Sequence, residues 1–580
     1  MASLTEDYLF VVAIDFGTTY SGYAYSSRDD YNDDRLNIKT NQAWNAGSNR
    51  HLSLKTPTCL LLDDNEELVS FGYDAENNYS DIVIDREQNK YFFFQRFKMQ
   101  LYENKHLKGK MIIEDVTGRP VPAMKVFGTS IKALMNHLFL TITEKGFDIE
   151  PKDIRWVLTV PAIWSDGAKQ FMRNSANLAG IEDNQLVLAL EPEAASIYCQ
   201  YLPTEKLKGA ERGFSMSEEG TQYMVVDNGG GTADITVHEK LRNGCLKELC
   251  CVSGGDCGGI SVDNAFYQIF VNSLGAPPLD EMKRNEPDAY LGLFREFEAA
   301  KRTVYTDAKS KVKMTIPRTA LDEICTNHLK GDFEAIVQSS PCHEKMKLRK
   351  DLVRIDADLI IDMFKEASER IIALISNVLK KMKGSNLKMI VLVGGFSGCK
   401  IIQDSIKSFF PSYRVIVPED AELAVLKGAV LFGHNPDYIV TRIARYTYGV
   451  ECMSDFNSDI HDLGRCVVEN GKEMCENRFY LYIKSGSVVE LGAKITQEFH
   501  TLRPFQSSVS FPVFQSTIEC PQYTDEEDCT ELGTLTLVIQ DPSEEIRDFR
   551  VNMMFGNTEL KVTAFDKKSA VECETVLDLI

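Results

Sequence analysis

No part of the chain offers the roughly 18 consecutive apolar residues of a membrane-spanning helix. The opening residues, MASLTEDYLFVVAID, lack a basic leader and break their apolar run at Asp15, so no secretory signal is expected. Positive charge is scarce: 64 Lys and Arg face 85 Asp and Glu, a net charge of −21. That balance argues against a nonspecific nucleic-acid binder and against docking on an anionic membrane. The 15 cysteines form no CxxC pair and are odd in number, which predicts free thiols in a reducing compartment, cytoplasmic or nuclear. Cys325, His328, Cys342 and His343 do not suggest a zinc site, because adjacent Cys and His seldom both reach one tetrahedral ion. With only nine histidines no pH switch stands out. The common nucleotide motifs are missing too: there is no G-x-x-x-x-G-K-[ST] loop, no strand-linked G-x-G-x-x-G and no H-R-D loop. No low-complexity tract occurs, and no long helical segment follows the last strand-like run.

What the chain does have is length and a change of texture. At 580 residues it exceeds a single hydrophobic core, so at least two domains are expected. Over residues 1–438 short apolar strands alternate with amphipathic helices, an α/β pattern. A strand at Trp156–Val160 leads into a helix around Asp166–Ala179. Apolar residues spaced by three and four across Leu359–Met382 predict one buried helical face. Over residues 439–580 strand-like runs dominate, at Phe479–Ile483, Ser508–Phe514, Thr534–Ile539, Phe549–Phe555 and Glu559–Phe565. Turn signals such as KSGS and QDPS separate them, and an all-β module is expected there.

The most informative stretch is YMVVDNGGGTADIT, Tyr223–Thr236. An apolar strand runs into Asp227, then Gly229, Gly230 and Gly231, then Thr232 and Asp234. A turn needs one or two glycines; three imply that something comes very close to the backbone. Phe10–Ile14 ends in the same way, in DFGTTY, with Asp15, Gly17, Thr18, Thr19 and Tyr20. The matched pair suggests two similar halves, each offering a hairpin turn to a shared cleft. Glycines let N–H groups approach phosphate oxygens, and threonines add hydroxyl donors. Asp15, Asp227 and Asp234 repel phosphate, so carboxylates beside such a loop imply a hydrated Mg²⁺ between them.

In these motifs, and in VLTVPAIWSDGAKQFMRNSANLAGI, LALEPEAASIY, FEAAKRTVYT and IVLVGGFSGCKIIQDSI, the chain resembles the seventy-kilodalton heat-shock family of the actin, sugar-kinase and heat-shock ATPase superfamily. The order of the motifs is kept along most of the chain, and within the family the resemblance is strongest to the divergent type 12 branch. It implies a two-lobed actin-like ATPase domain built from duplicated ribonuclease H-like halves, followed by a β-sandwich-like domain resembling a substrate-binding domain without its helical lid. It implies ATP or ADP with Mg²⁺ as cofactors and a weak ATPase activity. Asp15 and Asp227 would hold the metal through its waters, and Glu191 would orient the attacking water. Gly17, Thr18, Thr19, Tyr20, Gly229, Gly230, Gly231, Thr232, Asp234, Gly258 and Gly259 would line the phosphates. Glu298, Lys301 and Arg302, with Gly394, Gly395, Phe396 and Ser397, would hold the adenosine. Pro161, with Lys169 nearby, matches a proline that relays nucleotide state. Extended polypeptide segments and co-chaperones are the implied partners.

The sequence departs from the family in three places. Its catalytic lysine has no unambiguous counterpart in YFFFQRFKMQLY, where Arg96 or Lys98 could serve; Arg96 is carried as the catalytic cation. Gly398 stands where an adenine-stacking arginine is common, a loss of about 1 kcal/mol of cation–π contact. The leucine-rich interdomain linker is replaced by YIVTRIARYTYGVE, with Arg442 and Arg445 breaking the apolar run, a departure that argues against the family's nucleotide control of the second domain. The readings that follow are a slowly hydrolysing chaperone-like protein, a nucleotide-sensing adaptor with little turnover, and a small-molecule kinase for which no general base stands out.

Overall fold

The structure is a computed structural model that describes residues 8–41, 44, 53–103, 111–211, 216, 218–306, 311–555, 558–569 and 572–575. Two sheets organise the first three quarters of the chain. In the first, Phe10–Phe16 and Tyr20–Ser27 form an antiparallel hairpin, and Phe10–Phe16 also runs parallel to Ile154–Val160, which in turn pairs with Leu186–Leu190. In the second, Gln222–Asn228 and Ala233–Lys240 form the hairpin, and Gln222–Asn228 runs parallel to Met389–Val393, followed by Arg414–Pro418. One strand plan thus occurs twice: a hairpin, then two parallel strands laid beside its first arm.

Every residue of Phe10–Phe16 and Ile154–Val160 is buried, so both faces of this sheet are covered. That is why these strands read as continuous apolar runs rather than as alternating ones. Ala123–Glu144 and Asp166–Ala179 pack on one face, burying Val126, Phe127, Ile131, Phe171 and Met172 against Val12, Ile14 and Leu158. The other face looks toward the second sheet. Glu191–Cys199 and Ala424–His434 fill the space between, in one core with Val11, Ala13 and Val157 of the first sheet and Tyr223, Val225 and Val391 of the second. Each fully buried side chain of this size contributes about 1.5–3 kcal/mol, so this shared layer ties the two lobes together.

Asp166–Ala179 starts on Ser165, whose side chain accepts from the Ala168 N–H, and ends at Gly180 in the left-handed region (φ 106°). The apolar face expected over 359–382 is divided between two helices, Ala357–Met363 and Lys365–Lys381, which meet at Phe364. Among the described residues no helix is long and apolar enough to cross a membrane.

Beyond residue 446 the chain forms a five-stranded and a four-stranded sheet. Tyr448, Val450, Phe511 and Leu535 from one, and Phe549, Val551, Met553 and Val562 from the other, bury a common core. Ile439–Ile443 does not belong to this region. It runs parallel to Leu246–Gly255 as a strand of the second lobe's sheet, and Val488–Glu490 then returns to pair antiparallel with it. The division expected at 438/439 therefore falls inside a connected sheet.

Candidate functional site

The two Asp-x-Gly turns face one another. A β-carbon on Gly230 would strike the side chain of Thr19, and one on Gly231 would strike Met99 Sδ and Thr18 Oγ1. The carbonyls of Gly229, Gly230 and Gly231 accept from the N–H groups of Gly259, Ile260 and Gly258, at 3.1, 2.8 and 3.1 Å. The three glycines are thus required first by the protein itself: the opposite hairpin lies against one side of the turn and the Gly258–Gly259 turn against the other.

Behind the turns four carboxylates converge, and two lysines answer them. Lys98 Nζ donates to Glu191 Oε1 at 2.9 Å, with its side chain only 3% exposed and its ammonium 5.1 Å from the centroid of the Trp164 ring. Lys55 Nζ donates to Asp15 Oδ2 at 2.6 Å, and the Thr159 hydroxyl donates to Asp15 Oδ1 at 2.9 Å. Asp234 accepts from the Ile163 N–H at 2.9 Å and from the Thr232 hydroxyl at 2.8 Å, which ties the segment after Pro161 to the second hairpin. Asp227 is buried, and its Oδ1 has no hydrogen-bond partner.

These environments divide the acids. Burial opposes charge on Asp15, but the Lys55 and Lys98 ammoniums outweigh it and hold this carboxyl below the usual range. Burial, and then the charges of Glu191, Asp234 and Asp15, push Asp227 well above it. Glu191 is pushed up to about 7, by burial first, against the opposing pull of Lys98. Burial also raises Asp234, against its two hydrogen bonds.

Arg96 does not join this cluster. Its guanidinium donates to Asp263 Oδ2 at 2.8 Å, on the opposite lobe, while Lys301 Nζ donates to Asp263 Oδ1 at 2.6 Å. Arg96, expected as the catalytic cation, caps the short helix Phe97–Met99 with a left-handed backbone (φ 54°) and is turned to Asp263, whereas Lys98, the alternative, lies in that helix and reaches Glu191. Arg96–Asp263 is one of several links between the lobes there. Arg295 donates to Glu76 Oε2 at 2.9 Å, and the Arg302 guanidinium lies 5.7 Å from the Tyr20 ring centroid.

Glu298, Lys301 and Arg302, expected to hold the adenosine, lie together on one helix face. Glu298 forms ion pairs with both Lys301 and Arg302, the latter at 2.8 Å, and the two cations keep its carboxyl low in spite of burial. Phe297 stacks behind it on Phe266, 3.8 Å between centroids. Gly394 takes a positive φ (86°) next to Asp227, where a β-carbon would strike Asp227 Oδ1. Ser397 Oγ accepts from Asn228 Nδ2 at 2.8 Å, and Phe396 is buried, 6.0 Å from Phe364. The turn 394–397 therefore sits directly under the second hairpin.

A metal shared by Asp15 and Asp227 meets an arrangement that does not fit it. Both oxygens of Asp15 are taken, one by the Lys55 ammonium, and the partnerless Oδ1 of Asp227 is buried against the Gly394 turn. Among the described residues no three His, Cys, Asp or Glu side chains converge as direct ligands. Lys55, Asp263 and Thr159 carry no local motif, and no signal in the sequence marks them for the site.

The site is also wired to the strand Ile439–Ile443 and, across the seam that follows it, to the β region. Arg442 Nε and Nη2 donate to the two oxygens of buried Glu193, at 2.8 and 2.6 Å, two residues beyond Glu191. Tyr448 donates to Asp166 at 3.1 Å, and Asp166 also pairs with Lys169 at 3.1 Å. Arg445 donates to the Ile163 carbonyl, and Arg173 forms a two-pronged pair with Glu559 at 2.7 and 2.6 Å. The linker arginines are thus contacts of the seam rather than interruptions.

The mixed α/β architecture with its several sheets fits an actin-like ATPase fold. A model of the Hsp70 protein family matches residues 152–468, a span that holds Glu191, the second hairpin and the 394–397 turn. The chain belongs to the Hsp70 family and to its type 12 branch. It is 30% identical to heat shock 70 kDa protein 12A of Homo sapiens, over 99% of this chain and 92% of that protein. It is 31% identical to heat shock 70 kDa protein 12B of Homo sapiens, over 98% and 91%. To heat shock 70 kDa protein 2 of Paracoccidioides lutzii it is 24% identical, over 76% and 61%.

Proposed function

We propose that this chain binds ATP and ADP between the two hairpin turns and hydrolyses ATP slowly, as a chaperone-like protein of the Hsp70 type. The observation that carries the reading is the meeting of Gly230 with Thr19 and of Gly231 with Thr18, directly above Asp15, Asp227, Glu191 and Lys98. The recurrence of one strand plan supports two related lobes that close on a shared ligand. Phosphate oxygens are taken by the threonine hydroxyls and turn N–H groups. The Lys98 ammonium stabilises charge on the transferred phosphoryl group, and Glu191, poised near neutrality, positions and deprotonates the attacking water. The base lies between the Glu298–Arg302 face and the 394–397 turn. The two edges of the five-stranded sheet, Cys466–Glu469 and Cys529–Val538, suit pairing with an extended polypeptide. The 14 cysteines whose side chains are described are all free, which supports a reducing compartment, cytoplasmic or nuclear.

A second reading, a nucleotide-sensing adaptor with little turnover, is favoured by one feature: the Arg442–Glu193 pair begins two residues from Glu191. Single-turnover hydrolysis of labelled ATP separates the two. Wild type should outpace Asp15→Ala, Asp227→Ala and Glu191→Ala; equal rates in all four would remove the hydrolysis claim and leave the sensor.

A further inference from the structure

Lys55 is delivered to the site by its own piece of backbone. It immediately precedes the short strand Thr56–Pro57, which pairs antiparallel with Tyr20 and Ser21 at the end of the first turn. Its stem lies across Gly22, where an added β-carbon would come within 3.1 Å of Lys55 Cγ. Its head reaches Asp15 at 2.6 Å, and the side chain is 16% exposed. The next carboxylates in its field are Glu422 and Asp227. A glycine platform, a two-residue strand and a saturated aspartate therefore fix an ammonium directly on Asp15, one of the two carboxylates that a hydrated cation would share. Asp227 Oδ1, buried and without a hydrogen-bond partner, is turned to the Gly394 backbone and does not share Asp15's ammonium.

We propose that Lys55 is the resident cation of the phosphate site, so that this chain binds nucleoside di- and triphosphates largely without magnesium. The inference rests on the nucleotide reading above. Like charge and the occupied oxygens of Asp15 disfavour a divalent ion beside Lys55, and the ammonium itself neutralises Asp15 next to the incoming phosphates. Unlike a metal, it cannot be chelated away.

The test is calorimetric titration of the full chain with ADP and with ATP, in excess MgCl₂ and in EDTA, for wild type, Lys55→Arg and Lys55→Met. Wild-type and Lys55→Arg affinities should differ by less than about threefold between the two buffers. Lys55→Met should lose about tenfold or more in EDTA and recover it with magnesium. Mn²⁺ titration followed by electron paramagnetic resonance, with ADP present, gives a second readout: the methionine variant should take up one Mn²⁺ that wild type does not. Circular dichroism confirms that the variants are folded; if Lys55→Met is not, wild type and Lys55→Arg still decide. Wild-type binding that collapses in EDTA, or a tightly bound Mn²⁺ in wild type, overturns the role of Lys55 and spares the nucleotide site. No binding in any buffer overturns the nucleotide reading, and this inference with it.

Discussion

Arg442 grips Glu193 with two nitrogens, at 2.8 and 2.6 Å, and both side chains are almost wholly buried. Glu193 stands in the helix that opens with Glu191, so an ion pair of the seam and a carboxylate of the cleft share one turn of backbone. Breaking such a buried pair from one side leaves a charge without a partner, at a cost of about 3–5 kcal/mol. Arg442→Met should therefore lower the melting temperature by several degrees and open the 444–447 segment to limited proteolysis. Lysine should not rescue it, because the two-pronged geometry needs a guanidinium. An unchanged melting curve would show that the seam is held by other contacts.

Lys98 and Arg96 should behave differently although only one residue separates them. Lys98→Met removes the only ammonium on Glu191 among the described contacts and should slow single-turnover hydrolysis by about 10²–10³-fold. Arg96→Met removes a link across the cleft rim; it should change nucleotide release more than the chemical step. Rapid-quench rates and release of a fluorescent ADP analogue check the two halves of this expectation. The reverse pattern would return Arg96 to the chemistry.

The contact between the two turns can be tested by exchange. Gly230→Ala should weaken ADP binding, because its methyl group meets Thr19. Thr19→Gly removes a hydroxyl but also makes room. If the turns pack as described, the double variant should bind better than the sum of the single losses implies, with a coupling of about 1 kcal/mol in calorimetry. Strict additivity would place the turns out of contact.

Glu248 gives a pH test at the seam. Burial, and then the charge of Glu193, push its carboxyl up to about 8, against the Ile443 N–H that its Oε2 accepts. Its folded-state pKa lies above the unfolded value. The native state therefore holds a proton that the unfolded chain has released, and stability falls as pH rises from about 4.5 to 8. Glu248→Gln should flatten that fall by at least ~1 kcal/mol, the size of a one-unit shift. Thermal melts of both proteins at pH 6 through 9 read it out, and parallel curves would remove Glu248 as the cause.

Much of this was legible in the sequence wherever the signal is local. The hairpin strands announce themselves because both of their faces are buried and a glycine turn ends them. Asp15, Asp227, Glu191 and the Glu298–Arg302 face lie in short motifs that fold onto themselves. The break at Phe364 was not legible, since the helical spacing of apolar residues continues on both sides of it. Ala493–His500 was missed although half-buried Ala493, Ile495, Gln497 and Phe499 alternate with exposed polar residues, the pattern of a strand with one covered face. Lys55 and Asp263 were out of reach for another reason: each becomes functional only through a partner far along the chain, and a lone charged residue has no period. Arg442 and Arg445 were read as flaws in an apolar linker because composition does not show that Glu193 and the Ile163 carbonyl wait for them.

The strand Ile439–Ile443 and its neighbour Val488–Glu490 set a limit on how this molecule can be made. The outermost strand of the second lobe's sheet, Val488–Glu490, emerges after Thr447–Asp455 and Lys472–Ile483 of the β region have already been synthesised. During translation, the second lobe's sheet keeps an unpaired edge until residue 490 leaves the ribosome. A fragment cut at 438 would inherit that same raw border.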